Sequence, residues 1–543
     1  MTVVGAVVNA IGDLNPLSFV TLVPVIFVLA HVIPWLVDVH GLRSYPGPWL
    51  AKFSDAWLGW VAAHGHRSEI VHELHKKYGP IVRIAPNHVS ISDPAALHLV
   101  YAHGNGSLKS NFYDAFVSIQ RGLFNTRDRS AHARKRKIVS HIFSQKSVLE
   151  FEPYVREYVK TLIQQWDRLY DLAIKGMDGP EGEGGWKGRN GRLWLDCLPW
   201  YNYLAFDIIG DLAFGSPFGM LLAAKDSAPV ATSYEKAIAS YGEEGVAPEV
   251  VSIPAVQILN DRGEFSAAMG VLPPAWRPVV KRYIPWYSKG DRAVKNLAGI
   301  AVAAVSKRLA TPNYRVDLLS KLQEGKDDEG RPMGREELTA EALTQLIAGS
   351  DTTSNTSCAI TYYLAANPRC QEKLQLELDS ALGNEDDVAS TFESTKRLTY
   401  LEAVINESIR LHSTSGIGLP RVAPQGGLEI LGKTFPEGTV LSVPSYTIHR
   451  DTAVWGDDPD AFRPERWFEQ DNDAIQKTFN PFSFGPRACV GRNLASMELL
   501  IIISSILRHY SFVLEEPEKP FATSEGFLRK PLDCKVGIKR RDL

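Results

Sequence analysis

Along most of the 543-residue chain, apolar side chains recur at the i, i+3, i+4 spacing of half-buried helices. Strict alternation of apolar and polar positions is confined to short pieces, chiefly 81–92 and 428–443. The pattern predicts a mainly α fold with small β-sheets. A late apolar run, 493–507, predicts a helix.

One stretch breaks the amphipathic rule. Residues 17–37, LSFVTLVPVIFVLAHVIPWLV, hold no Asp, Glu, Lys or Arg over 21 positions, against the roughly 20 that cross a bilayer as a helix. Lipid tolerates Pro24 and Pro34 better than water does. His31 and the lack of a basic leader or small-residue cleavage site argue against a removed signal peptide. The run therefore reads as an uncleaved anchor helix, with a buried N-terminal hairpin as the alternative. Asp13 is the one charge before it and Arg43 and Lys52 follow, a bias that puts the bulk of the chain in the cytosol. Tyr45-Pro46-Gly47-Pro48 predicts a stiff turn after the anchor.

Between Gly176 and Gly191 lie seven glycines in sixteen residues, with several charges; this predicts a surface loop between two helices, or a domain boundary. Lys and Arg number 59 and Asp and Glu 62, a net charge of −3. That balance excludes the global positive field of a nucleic-acid coat, so any electrostatic partner site is local. Five cysteines, Cys197, Cys358, Cys370, Cys489 and Cys534, form no C-x-x-C pair. A disulfide framework and a cysteine-rich zinc module are both disfavoured, and at least one cysteine needs another explanation. Neither a Walker-type phosphate loop nor a dinucleotide-binding glycine fingerprint is present.

The leftover cysteine lies in Phe482-Ser-Phe-Gly485-Pro-Arg487-Ala-Cys489-Val-Gly491. A thiolate that binds iron needs backbone N–H groups aimed at its sulfur, and glycines permit that approach. Arg487 supplies a cation for a carboxylate of the same group. Here the chain resembles the cytochrome P-450 haem-thiolate monooxygenases, and the resemblance covers nearly its whole length. It implies the P-450 fold, with residues 1–40 as N-terminal membrane anchor and 41–543 as haem domain. It implies haem b (iron protoporphyrin IX) with Cys489 as axial thiolate, and Phe482 and Gly485 in the haem-binding loop. His132 and Arg136, one helical turn apart, and Arg421 in Leu419-Pro420-Arg421 are then expected at the propionates. Glu407 and Arg410, at i and i+3 on one helical face, resemble two members of the family's structural cluster, and Arg466 the third. Ala348-Gly349-Ser350-Asp351-Thr352-Thr353 resembles the oxygen-activating stretch: glycine leaves room for O₂, the Thr352 hydroxyl donates a hydrogen bond there, and Asp351 relays protons.

The resemblance also implies a separate NADPH–cytochrome reductase, because the chain has no flavin or nicotinamide motif, and an endoplasmic reticulum membrane location with a single-pass anchor. Arg134, Lys135 and Lys137 are the expected docking patch for an acidic reductase. Tyr45-Pro-Gly-Pro-Trp-Leu-Ala, Asn111-Phe-Tyr-Asp-Ala-Phe116, Arg121-Gly-Leu-Phe-Asn-Thr-Arg127 and His412-Ser-Thr-Ser-Gly-Ile-Gly-Leu-Pro-Arg421 look close to the fungal benzoate 4-monooxygenase group. The substrate is then a small aromatic carboxylic acid. Its ring needs an apolar slot, for which Phe112, Tyr113, Phe116, Ile417 and Leu419 are candidates; its carboxylate needs donors, for which Lys109, Ser118, Gln120, Ser413, Thr414 and Ser415 are candidates. Three alternatives stay open: a larger lipid or terpenoid substrate, a haem-thiolate isomerase or dehydratase, and a non-enzymatic haem protein.

Overall fold

The computed structural model describes residues 16–542 apart from 240, 242, 244–247, 311–315, 328, 384–386 and 470–471. The fold is mainly helical with small sheets, as the periodicity predicts. The helices that bear on the site are α1 (Pro16–Val37), α2 (Arg129–Ile142), α3 (Glu152–Ala173), α4 (Cys197–Phe214), α5 (Ala255–Val271), α6 (Pro285–Ala310), α7 (Arg335–Ala366), α8 (Thr399–His412) and α9 (Arg492–His509).

Residues 1–15 of the expected anchor lie outside the described residues. The backbone of α1 covers the apolar run, and Val25, Ile26, Phe27, Val28 and Leu29 stand exposed. The buried-hairpin alternative fails on that exposure. Among the described residues, no helix is long and apolar enough to cross a membrane.

Helix α4 explains how the interior is filled. Trp200, Tyr201, Leu204, Ile208 and Leu212 are all buried, and α4 packs along α7, the longest of these helices. Contact is close at Gly349 of α7, where a Cβ would stand 2.7 Å from Ile209 Cδ1. The room left by this glycine is thus taken by Ile209 of α4, a packing reason beside the expected one of space for O₂.

Both alternating segments form strands. β1 (Ile81–Ala85), β2 (His88–Ile91), β3 (Leu108–Lys109), β4 (Arg421–Val422) and β5 (Val440–Ser442) make one sheet in the order β1-β2-β5-β4-β3. Its β3–β4 pairing is antiparallel and sets Lys109 opposite Arg421. The glycine-rich stretch is not the loop its composition predicts. Asp178–Gly179, Trp186–Arg189 and Arg192–Asp196 are strands of a second sheet, completed by Tyr510–Leu514 and Lys535–Arg540. Asn190 and Gly191 both take positive φ, 52° and 66°, and close a two-residue hairpin whose strand carries buried Trp186. The glycines serve turns, and one aromatic residue anchors the strand.

Candidate active site

The cysteine loop runs into α9. Cys489 N donates to Phe482 O at 2.8 Å, which folds the segment back on itself. Gly485 has φ +71°, and a Cβ there would lie 2.0 Å from Tyr101 O, so this position requires glycine twice over. Burial pushes the Cys489 thiol up, while the backbone N–H groups of Gly491 and Arg492 and the charges of Arg492 and Arg136 favour the thiolate. Cys489 is the one exposed cysteine, and its surface opens into a cavity that Phe482, Arg487, Val490 and Gly491 also line. An accessible sulfur ringed by N–H donors at the floor of a cavity fits the axial ligand of a haem.

Beside this loop, cations converge without acids. Arg136 of α2 donates to Ala488 O at 2.6 Å, and Arg487 to Thr126 O at 2.6 Å and Arg127 O at 3.1 Å. Arg421 donates to the Tyr113 hydroxyl at 2.9 Å and lies over the Tyr101 ring. Lys109, which sequence reading offered only as a substrate donor, donates to Phe124 O and stacks on Tyr113 and Phe124. Burial, then Arg421, Arg487 and Arg136, hold the Lys109 ammonium well below its usual range. Burial and the same cations push His132 down to about 3. Among the described residues, none of Lys109, Arg136, Arg421 and Arg487 forms an ion pair with a carboxylate. Lys109 and Arg421 are buried and Arg136 and Arg487 half-buried, so an anion among them is favourable, which is what two haem propionates would supply.

Above the loop lies α7. Ala348, Gly349 and Thr352 line the cavity, and Thr352 Oγ1 donates to Ala348 O at 2.7 Å, one turn back. Burial raises the Asp351 carboxyl, opposed by Lys530, by a hydrogen bond from Asn355 at 3.0 Å, and by Arg262. Thr353 donates to Glu498 of α9 at 2.9 Å, and burial pushes Glu498 up to about 7.

Glu407, Arg410 and Arg466 meet as the resemblance implies. Arg410 binds Glu407 through two bonds of 2.9 Å, and Arg466 Nε reaches it at 2.8 Å, all three side chains being fully buried. None of the three lines the cavity.

The substrate candidates divide. Phe116, Gln120, Ser413 and Thr414 line the cavity, as do Ser118, Ser415 and Leu419. Ser413 is committed elsewhere, donating to Arg410 O at 2.6 Å and bonding His449 Nδ1 at 3.0 Å. Tyr113 and Ile417 stand outside the lining. Tyr113 belongs to the cationic cluster through Arg421, and Ile417 is buried behind Phe116 with Phe112. Lys135 is a correction too: it is buried and paired with Glu337 and, at 3.4 Å, with Glu341, so it is no surface docking residue, and Arg134 also pairs with Glu337. Helical periodicity placed these side chains away from Arg136 but gave no sign that α7 lay over them. Sequence reading missed Phe124, Phe527, Arg262 and Gln345 in the lining, because they come from separate elements without a shared motif.

Cys197, Cys358 and Cys534 converge elsewhere, buried, with sulfurs within 4.8 Å of one another, and none lines the cavity.

Comparison with known proteins agrees with this geometry. The family model described as cytochrome P450 matches residues 46–538. Benzoate 4-monooxygenase bphA of Aspergillus niger is 50% identical over 525 residues, 95% of this chain and 96% of that protein. Cytochrome P450 monooxygenase astJ of Aspergillus oryzae is 32% identical, covering 91% of this chain and 90% of its own. The cytochrome P450 monooxygenase gsfF of Penicillium aethiopicum is 28% identical over 97% of this chain and 99% of its own. With a loop cysteine at the cavity floor, a cationic cluster for propionates and a match over most of its length, the chain belongs to the cytochrome P450 family of haem-thiolate monooxygenases.

Proposed function

We propose that this monooxygenase inserts one atom of O₂ at the para carbon of benzoate, giving 4-hydroxybenzoate. The observation that carries the reading is 50% identity across 95% of the chain to a benzoate 4-monooxygenase. A thiolate-ligated haem supplies O₂ activation and oxygen transfer to carbon. Cys489 is its ligand, and Lys109, His132, Arg136, Arg421 and Arg487 hold its propionates. Thr352 places its hydroxyl at the cavity wall with the proton donated to Ala348 O, and Asp351 connects that wall to Asn355 and, through charge, to Lys530. Phe116, Phe124 and Phe527, with ring centroids 5.0–5.6 Å apart in edge-to-face contact, give an aromatic ring a matching wall.

Electrons come from an NADPH–cytochrome reductase on the same membrane. Residues 1–40 form the anchor that keeps this chain at the endoplasmic reticulum surface, with 41–543 as a cytosolic domain; exposed apolar side chains on α1 support that reading. The test has two stages. A reduced, carbon-monoxide difference spectrum reports thiolate ligation, lost in Cys489→Ser. Benzoate titration and product analysis with reductase and NADPH then report the substrate; no spectral shift at millimolar benzoate, or a product hydroxylated elsewhere on the ring, sinks the proposal.

A further inference from the structure

Two side chains in the cavity wall keep buried N–H donors unused, Arg262 and Gln345, while Asn125 Oδ1, Glu341 Oε1 and Ser483 Oγ form no hydrogen bond in the same wall. Arg262 of α5 is 6% exposed, donates only from Nη2 to Phe116 O at 3.2 Å, and has no partner for its buried Nε. It forms no ion pair with any described carboxylate. Gln345 of α7 is 8% exposed, and neither its amide oxygen nor its amide nitrogen has a partner. Both line the cavity that ends on Cys489. Nearby carboxylates are engaged otherwise: Glu341 with Lys135 at 3.4 Å and Asp351 with Asn355 at 3.0 Å, Asp351 acting on Arg262 only through longer-range charge. A buried guanidinium and a buried amide left unsatisfied in one cavity mark the place of an absent polar ligand.

We propose that Arg262 and Gln345 form the carboxylate-binding end of the substrate site, so that this enzyme selects ionised aryl carboxylates and presents the opposite ring carbon for oxidation. The proposal rests on the function argued above and deepens it. Guanidinium and amide N–H groups together suit a two-oxygen acceptor, and a charged acceptor best of all. The Arg262 guanidinium lies 5.2 Å from the Phe116 ring centroid, so an anion bound to it has the Phe116, Phe124 and Phe527 wall beside it. Gln345 and Thr352 lie seven residues apart on α7, about 10 Å along its axis. That is room for one carboxylate and one ring between the Gln345 amide and the Thr352 hydroxyl. Holding the ring by its carboxylate leaves the para carbon at the far end, which gives regioselectivity a physical cause.

The test compares benzoate with benzamide, a neutral ligand of nearly the same shape, by spin-state titration and by calorimetry on the full-length, haem-loaded protein. Arg262→Gln weakens benzoate roughly 30-fold or more and benzamide little, Gln345→Leu weakens benzoate about tenfold, and Arg262→Lys recovers part of the loss. The carbon-monoxide spectrum checks that each variant keeps its thiolate; if Arg262→Gln does not, Gln345→Leu and Arg262→Lys decide. Equal affinity of wild type and variants for benzoate overturns the clamp and leaves the proposed reaction standing. Equal loss for benzoate and benzamide reduces the residues to packing and also overturns it. If wild type ignores benzoate but binds other aryl carboxylates in an Arg262-dependent way, the clamp stands and benzoate falls. If it binds no aryl carboxylate, both fall.

Discussion

Lys109 and Arg421 face each other as cross-strand partners on β3 and β4, two buried cations in register with no acid between them. Like charges directly opposite weaken a sheet, so this pairing is costly without an anion and favourable with one. Lys109→Met therefore acts with opposite signs in the two states. The haem-free protein keeps or gains stability in urea, while the loaded protein releases haem to a scavenging apoprotein roughly tenfold faster, the loss of one charge-assisted hydrogen bond. Unchanged haem release would remove Lys109 from the propionate site.

Glu498 carries a pH dependence whose direction follows from burial. Its carboxyl is pushed up to about 7 in the folded protein against 4.5 in the unfolded chain. The folded state thus binds a proton that the unfolded state has lost, and stability falls as pH rises from about 4.5 to 7, then levels off. Glu498→Gln removes this component. The variant matches wild type near pH 4.5 and exceeds it above pH 7 by roughly 3 kcal/mol. Urea midpoints across that range measure the difference, and a difference that does not grow with pH contradicts the assignment.

What the sequence made legible is what neighbouring residues decide. The cysteine loop reads as a unit because Phe482, Gly485 and Cys489 build one turn, and Glu407 and Arg410 because a helix sets i and i+3 together. The Lys109–Arg421 pairing joins distant segments, so no local pattern announces it. Lys135 shows the same limit: periodicity gives the direction of a side chain on α2 but not the acids of α7 that meet it. The glycine-rich stretch was misread for a different reason. Composition outweighed the Asn190-Gly191 dipeptide, which is itself a hairpin signal. Arg262 sits in a helix of unremarkable pattern, and only the fold shows that it is buried without an acid.

Docking of a reductase is testable once the buried and exposed members of the basic run are separated. Lys135→Glu sets a third carboxylate against Glu337 and Glu341 in a closed site, and costs about 3–5 kcal/mol of stability. Lys137 stands exposed on α2. If the acidic partner docks on this face, Lys137→Glu slows the first electron transfer and leaves the ferric spectrum unchanged. Stopped-flow reduction at two ionic strengths reads the effect, and a rate equal to wild type at low salt places the partner elsewhere.

The Glu407 triad separates stability from chemistry. Glu407 accepts from Arg410, from Arg466, from Trp467 Nε1 at 3.2 Å and from Arg463 N at 3.0 Å. The remaining guanidinium N–H groups donate to the carbonyls of His449, Pro459, Trp455 and Asp458. Ala461 O accepts one more from each arginine and Asp458 Oδ1 one from Arg466 Nη1 at 3.3 Å, so every donor is used, and Glu407 is the one buried carboxylate between the two buried cations. Glu407→Gln keeps the shape and removes the charge, leaving Arg410 and Arg466 facing each other at a cost of about 3–5 kcal/mol. Thermal unfolding and the yield of haem-loaded protein both drop. Since none of the three residues lines the cavity, turnover per bound haem in the surviving holoenzyme stays at the wild-type value. Normal stability with lost turnover per haem is the result that would place Glu407 in the chemistry instead.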